Sequence, residues 1–190
     1  MKSRKSAPTR NTRSTRQPEF EKIVKPVVHF VHGKDSGPWG LKITRLAEIA
    51  RNHGLDVESL DYSGIDSPEL RSRKLVSACK SVSNPLILVG SSMGGWVAAA
   101  ASREVRASGL FLLAPAFYFP GYPDVIPGCP GDRIEIVHGW EDDVILYEHS
   151  VRFSRKNGAT LHLFRDDHRL TESLELISEC FSSFLTRILS

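Results

Sequence analysis

The apolar run Leu86-Ile87-Leu88-Val89 breaks directly into Gly90-Ser91-Ser92-Met93-Gly94-Gly95, and that turn opens into Trp96-Val97-Ala98-Ala99-Ala100-Ala101. The order reads as strand, tight turn, helix. A serine at such a turn is forced into a strained backbone conformation that lifts its hydroxyl above the sheet. Glycines two residues to either side are needed because side chains there would clash. Only Ser92 satisfies the Gly-x-Ser-x-Gly frame, since framing Ser91 would require glycine where Val89 and Met93 stand. The same glycines do not make a phosphate cradle, because the Lys-Ser/Thr ending of a P-loop is missing. The turn therefore points to a nucleophile.

A chain of 190 residues with 41% hydrophobic content has the volume for a single domain with a proper core. Around the Ser92 turn, short β-rich runs alternate with helical segments in the manner of parallel βα units. Strands are expected at Ile23–Val31, Val57–Leu60, Leu86–Val89, Leu110–Leu113, Ile134–Val137 and Leu161–Phe164. Helices are expected at Leu41–Asn52, Pro68–Val82, Met93–Val105, Leu146–Lys156 and Glu172–Ile188. Ile43, Leu46, Ala47, Ile49 and Ala50 recur at helical spacing in the first helix. Leu174, Ile177, Phe181, Phe184, Leu185 and Ile188 form one stripe in the last.

A serine needs a base to take its proton and a carboxylate to orient that base. His168 follows the last expected strand, and Asp142 and Asp143 follow the fifth, so each stands at the carboxyl end of a parallel strand beside Ser92. The chain order Ser, Asp, His is that of a known hydrolase arrangement. Asp166 and Asp167 lie too close to His168 for easy folding back onto its ring and read better as turn residues. His138 reads as shaping its own turn.

Charge is uneven. Lys2, Arg4, Lys5, Arg10, Arg13 and Arg16 fall in the first sixteen residues with no acid among them. Without those six of its 25 basic residues the chain carries 19 against 22 acidic ones. Residues 1–18 are expected to be a disordered basic tail, and 19–190 a single domain. The three cysteines are widely spaced, suiting neither a disulfide framework nor a metal knuckle. No apolar run is long enough to span a bilayer, and no secretory signal pattern is present. A cytoplasmic protein is expected, with no metal or cofactor and no nucleic acid partner; the oligomeric state stays open.

From about Val27 to Leu189 this arrangement resembles the α/β-hydrolase superfamily, and within it the small esterase-like members without a large lid. The resemblance implies a three-layer αβα sandwich around a mostly parallel six-stranded sheet ordered 2-1-3-4-5-6, lacking the first two strands and the cap of larger members. His32-Gly33 matches the family's early His-Gly, so the backbone N–H groups of Lys34 and Met93 would form the oxyanion hole. His138-Gly139 aligns with the family's His-Gly-x-x-Asp-x-x-Val segment, which prefers Asp142 over Asp143 and places Ile145 near the usual valine. The implied activity is hydrolysis of small carboxyl esters or thioesters by Ser92, His168 and Asp142. Phe117 and Trp140, on loops at the same sheet edge, would line the substrate site. The alternative is a non-catalytic module of the same fold that recruits a partner, with the basic tail as its arm.

Overall fold

A computed structural model describes residues 25–82 and 85–190. The expected tail at 1–18 and the first two residues of the first expected strand lie outside them. Six strands make one sheet: β1 (Val27–Val31), β2 (Asp56–Ser59), β3 (Leu86–Ser91), β4 (Gly109–Leu113), β5 (Ile134–Gly139) and β6 (Thr160–Phe164). Their order across the sheet is β2-β1-β3-β4-β5-β6, and every adjacent pair is parallel. Five helices connect and follow them: α1 (Leu41–Asn52), α2 (Pro68–Cys79), α3 (Met93–Ala101), α4 (Tyr147–Asn157) and α5 (Leu174–Leu189).

The two-residue alternation of strand side chains divides the core into two layers. Leu86, Leu88, Leu110, Leu112, Ile134 and Ile136 join the layer under α2, α3 and α4. Val28, Phe30, Ile87, Val89, Phe111 and Leu113 join the layer under α1 and α5. On the latter side Phe111 packs against Phe181 and Phe184 at centroid distances of 5.0 and 5.4 Å. Both sheet faces are covered, as parallel sheets require.

Several expected boundaries move, each for a local reason. α3 stops at Ala101 instead of Val105, because the chain leaves the helix through turns that end on Arg106 at φ 53°. α5 starts at Leu174 instead of Glu172, with the Ser173 N–H donating to Asp166 Oδ2 at 2.7 Å. α2 ends at Cys79, three residues short of Val82. β3 and β5 each run two residues further than expected, to Ser91 and Gly139. β1 starts at Val27, after Pro26, whose ring removes a ladder donor.

Candidate active site

The site lies at the carboxyl ends of β1, β3, β5 and β6. Ser92 occupies the turn between β3 and α3 at φ 56°, ψ −121°, a conformation that side-chain-bearing residues rarely adopt. The neighbouring glycines make room for it: a Cβ on Gly90 would come within 2.3 Å of the Gly94 carbonyl oxygen, and one on Gly94 within 2.0 Å of that of Val31. The turn is tied to β4 on both sides, through Ser92 N–H to Leu113 O at 2.9 Å and Ala116 N–H to Ser92 O at 3.0 Å.

His168 Nε2 stands 3.0 Å from Ser92 Oγ, and His168 Nδ1 stands 2.7 Å from Asp142 Oδ2. With Nδ1 donating to the carboxylate, Nε2 presents its lone pair to the serine hydroxyl. Asp142 is buried and its two oxygens are fully engaged. Oδ1 accepts the backbone N–H groups of Val144 and Ile145 at 2.9 and 2.8 Å. Oδ2 accepts from His168 and also from His138 Nε2, at 2.9 Å. Burial opposes ionisation of Asp142, yet the bonds from His138, His168 and Ile145 outweigh it and keep the carboxyl well below the ordinary carboxylate range.

His138 is fully buried and does more than shape its turn. Its Nε2 faces two acceptors, Asp142 Oδ2 and Ile145 O, both at 2.9 Å, so the proton sits there. Nδ1 is then free to accept from Ser150 Oγ at 2.7 Å. The β5 and β6 ends meet because Gly139 has no side chain: a Cβ there would lie 2.2 Å from the Asp166 carbonyl oxygen. Glu141 N–H donates to that same oxygen at 3.0 Å. This contact brings the His168 loop to Asp142.

Asp143 is exposed. Asp166 is buried, but its oxygens accept the backbone N–H groups of Asp167 and Ser173, so it organises the turn ahead of α5. Lys42, in the first turn of α1, reaches across to donate to Arg169 O at 2.5 Å and so pins the residue after His168. Burial pushes its ammonium down to about 8, against the pull of Asp166, Asp167 and Asp142.

On the other side of Ser92, the His32-Gly33-Lys34 turn leaves β1. A Cβ on Gly33 would sit 3.4 Å from Ser92 Cβ, which measures how closely this backbone approaches the serine. Met93 N–H, the first of α3, and Lys34 N–H have no acceptor among the described residues. The Lys34 side chain turns outward to Asp66, 3.6 Å away, and both groups are exposed. Beneath the turn lies Arg71, 1% exposed. Sequence reasoning passed over both Lys42 and Arg71. Arg71 does carry a signal, since it shares the buried stripe of α2 with Leu75 and Cys79 at four-residue spacing.

The two residues expected to line a substrate site are placed differently. Phe117 is buried and stacked on Phe153, 3.9 Å between centroids at an interplanar angle of 9°. Trp140 is half exposed and meets Tyr147 edge-on, with Val144 and Leu146 exposed on the same β5–α4 connection. A shallow hollow of about 290 Å³ lined by Arg45, Ile49, His53, Glu175 and Ser182 contains none of the side chains around Ser92. Glu135, His162 and Cys180 come together like metal ligands. The Glu135 carboxylate, however, is already satisfied by His162 Nε2 and Arg187 Nη2, both at 2.7 Å.

The sequence model of the alpha/beta hydrolase family matches residues 30–182. The chain belongs to that family. A hydrolase-superfamily protein of solved structure from Xanthomonas campestris pv. campestris is 29% identical, with a TM-score of 0.79 over 86% of this chain and 99% of the other. An α/β serine hydrolase without a lid from Xanthomonas campestris superposes with a TM-score of 0.74 at 18% identity, over 90% of this chain and 85% of that one. Est1E from Butyrivibrio proteoclasticus gives 0.69 at 19% identity, over 87% and 88%. No curated protein matches. The last two likenesses speak for the fold alone, an α/β-hydrolase sheet in its minimal six-stranded form.

Proposed function

We propose that this α/β-hydrolase cleaves small carboxyl esters or thioesters through an acyl-enzyme on Ser92. The reading rests on one observation, the unbroken line from Ser92 Oγ to His168 at 3.0 Å and on to Asp142 at 2.7 Å. In the first half-reaction the Ser92 hydroxyl proton passes to His168 Nε2 as Oγ bonds to the acyl carbon, and the carbonyl π pair moves onto oxygen. The Lys34 and Met93 N–H groups receive that oxyanion. Collapse of the tetrahedral species breaks the bond to the alkoxide or thiolate, which leaves with the proton from the imidazolium. Water repeats the sequence, releasing the acid and restoring Ser92.

Asp142 stabilises the imidazolium and fixes the tautomer that presents Nε2 to the serine. Its bond from His138 keeps the carboxylate in place while His168 gains and loses its proton. Trp140, Val144 and Leu146 offer exposed apolar surface to the acyl or leaving group. No cofactor enters this chemistry.

The test is hydrolysis of p-nitrophenyl acetate together with covalent labelling by a fluorophosphonate. Wild type should turn over the ester and carry the label on Ser92, and Ser92→Ala should do neither. Undiminished hydrolysis by Ser92→Ala would overturn the mechanism. A chain that neither labels nor hydrolyses would point to a binding module on the same fold.

A further inference from the structure

Arg71 is a buried cation that forms no ion pair with any carboxylate among the described residues; the nearby Asp66 is taken by Lys34, and Asp61 accepts from Ser63 N–H. Burying a charge without a counterion is costly unless hydrogen bonds replace its water. Arg71 aims those bonds at backbone carbonyls. Nε donates to Ile65 O at 2.6 Å, and Nη1 donates to both His32 O and Gly33 O, at 3.2 and 3.1 Å. The Tyr62 ring lies 5.6 Å from the guanidinium carbon. The His32 imidazole adds a second donor to one of these carbonyls. Its Nδ1 bonds Gly33 O at 2.7 Å, while Nε2 accepts Tyr62 N–H at 2.9 Å. Asp61 comes within 3.8 Å of Nε2, but that nitrogen's lone pair is occupied, so the ring is neutral. The Gly33 carbonyl thus accepts from a permanent cation and from an imidazole at once.

Gly33 C=O and Lys34 N–H are the two ends of one planar peptide. We propose that Arg71 is a positioning residue of the oxyanion site, fixing the Gly33–Lys34 peptide plane and polarising it so that Lys34 N–H becomes a stronger donor. The inference rests on the hydrolase reading above. Hydrogen bonds accepted by a carbonyl draw electron density toward its oxygen and leave the N–H of the same peptide more positive, and such chains strengthen one another where water is excluded. Donors fixed before the reaction need no reorganisation as charge develops. Met93 N–H obtains comparable help from the N-terminal end of α3. Lys34 has no helix behind it, and Arg71 fills that place. A guanidinium keeps its proton at any working pH, so this support does not titrate.

The test uses the full chain and p-nitrophenyl acetate, with Ser92→Ala run alongside. Arg71→Met should lower kcat about 10- to 100-fold while KM moves less than about threefold, since losing one oxyanion donor outright costs about 10²- to 10³-fold and weakening it costs less. Affinity for butylboronic acid, whose adduct places a tetrahedral oxyanion on the serine, should fall by a similar factor. The Lys34 amide should move upfield in a ¹⁵N–¹H correlation spectrum. Arg71→Lys, which keeps the charge without the fork, should recover part of the loss. Full kcat in a folded Arg71→Met overturns the inference, as does a loss of kcat with boronate affinity and the Lys34 amide both unmoved. Should Arg71→Met fail to fold, Arg71→Lys decides on the same readouts: reduced kcat and boronate affinity support the role, and wild-type values of both overturn it. Hydrolysis that survives in Ser92→Ala would remove the hydrolase reading itself. An inactive Ser92→Ala beside an unimpaired Arg71→Met removes only the role of Arg71.

Discussion

The two flanks of Ser92 are built from opposite materials. On one flank stand His168, Asp142 and His138, side chains joined ring to carboxylate to ring, with Asp142 Oδ2 shared between two imidazoles at 2.7 and 2.9 Å. On the other, the Gly33 backbone approaches the serine, and the side chains behind it, His32 and Arg71, bond to carbonyls. Under the proposed hydrolysis the first flank must change protonation within each turnover, which calls for a base with a fixed anion beside it. Under the same proposal the second must stay constant while charge appears in front of it, which suits peptide dipoles and a cation that does not lose its proton. In the proposed reaction these are a proton relay and an electrostatic cradle, and they sit on opposite sides of β3, with β5 and β6 carrying the first and β1 the second.

Removing the relay's first member should have the largest effect. Ser92→Ala and His168→Ala are each expected to reduce kcat by about 10⁶-fold, and the double variant by hardly more, because residues acting as a unit do not add. Steady-state rates on a p-nitrophenyl ester check this, and additive losses would show that the two side chains work separately. Asp142→Asn should cost up to about 10⁴-fold through the wrong tautomer. The same variant should also change acid stability. The Asp142 carboxyl is depressed in the folded chain, so its stabilisation is complete above the unfolded carboxylate value of about 4 and is lost as pH falls below it. Unfolding of wild type should therefore steepen below about pH 4, and that of Asp142→Asn should not.

A third experiment separates the site from its scaffold. His29 on β1 is buried with an unpartnered Nδ1, and burial pushes its pKa down to about 4. The unfolded chain takes up that proton near pH 6.5 and the folded chain does not, so stability should fall as pH drops from about 6.5 to about 4, by no more than ~3 kcal/mol. Urea unfolding of His29→Leu at pH 7, 5.5 and 4.5 should show a flatter decline; an unchanged slope would place the acid sensitivity elsewhere. His138→Leu, which removes the Nε2 donor to Asp142, should lower kcat about tenfold, a smaller loss than that of Asp142→Asn. The smallest effect belongs to Asp143→Asn, expected within about twofold of wild type. If Asp143→Asn were the crippled variant, the acid of the relay would be one residue further along.

The relay side could be read from the sequence, and the cradle side only in part. Ser92 follows its strand run directly, His168 and an acid at Asp142 or Asp143 stand a few residues past theirs, and the choice of Asp142 comes from the family's His-Gly-x-x-Asp segment, matched by His138-Gly139. Gly90, Gly94 and Gly139 are also visible as letters, but that Gly139 lets Asp166 approach is a contact between two strand ends and has no local signature. Arg71 lies 38 residues from Gly33, to whose carbonyl it bonds. A basic residue on an apolar helical stripe was the one clue, and periodicity alone cannot say which carbonyl it will meet. Phe117 shows the converse limit: an aromatic in a loop beside the site reads the same whether it faces solvent or, as here, stacks inside on Phe153. Sheet order was legible through the resemblance to the α/β-hydrolase superfamily, not through the local pattern of strands and helices. The helix ends were not, since turns such as the one at Arg106 depend on what the chain packs against next.

Asp142, His168 and the Gly33–Lys34 peptide arrive from connections at the carboxyl ends of strands, and among the described residues the turns at the opposite rim of the sheet contribute none of these groups. Gly54, after α1, has open space where a side chain would go, whereas Gly158, after α4, lies against Gly131, where an added Cβ would come within 2.8 Å of the Gly158 carbonyl. That rim is a handle. An affinity peptide, a surface linker or a second domain spliced in at Gly54 would hang from the side facing away from the serine, so the molecule can be tethered or fused without crowding the approach to Ser92.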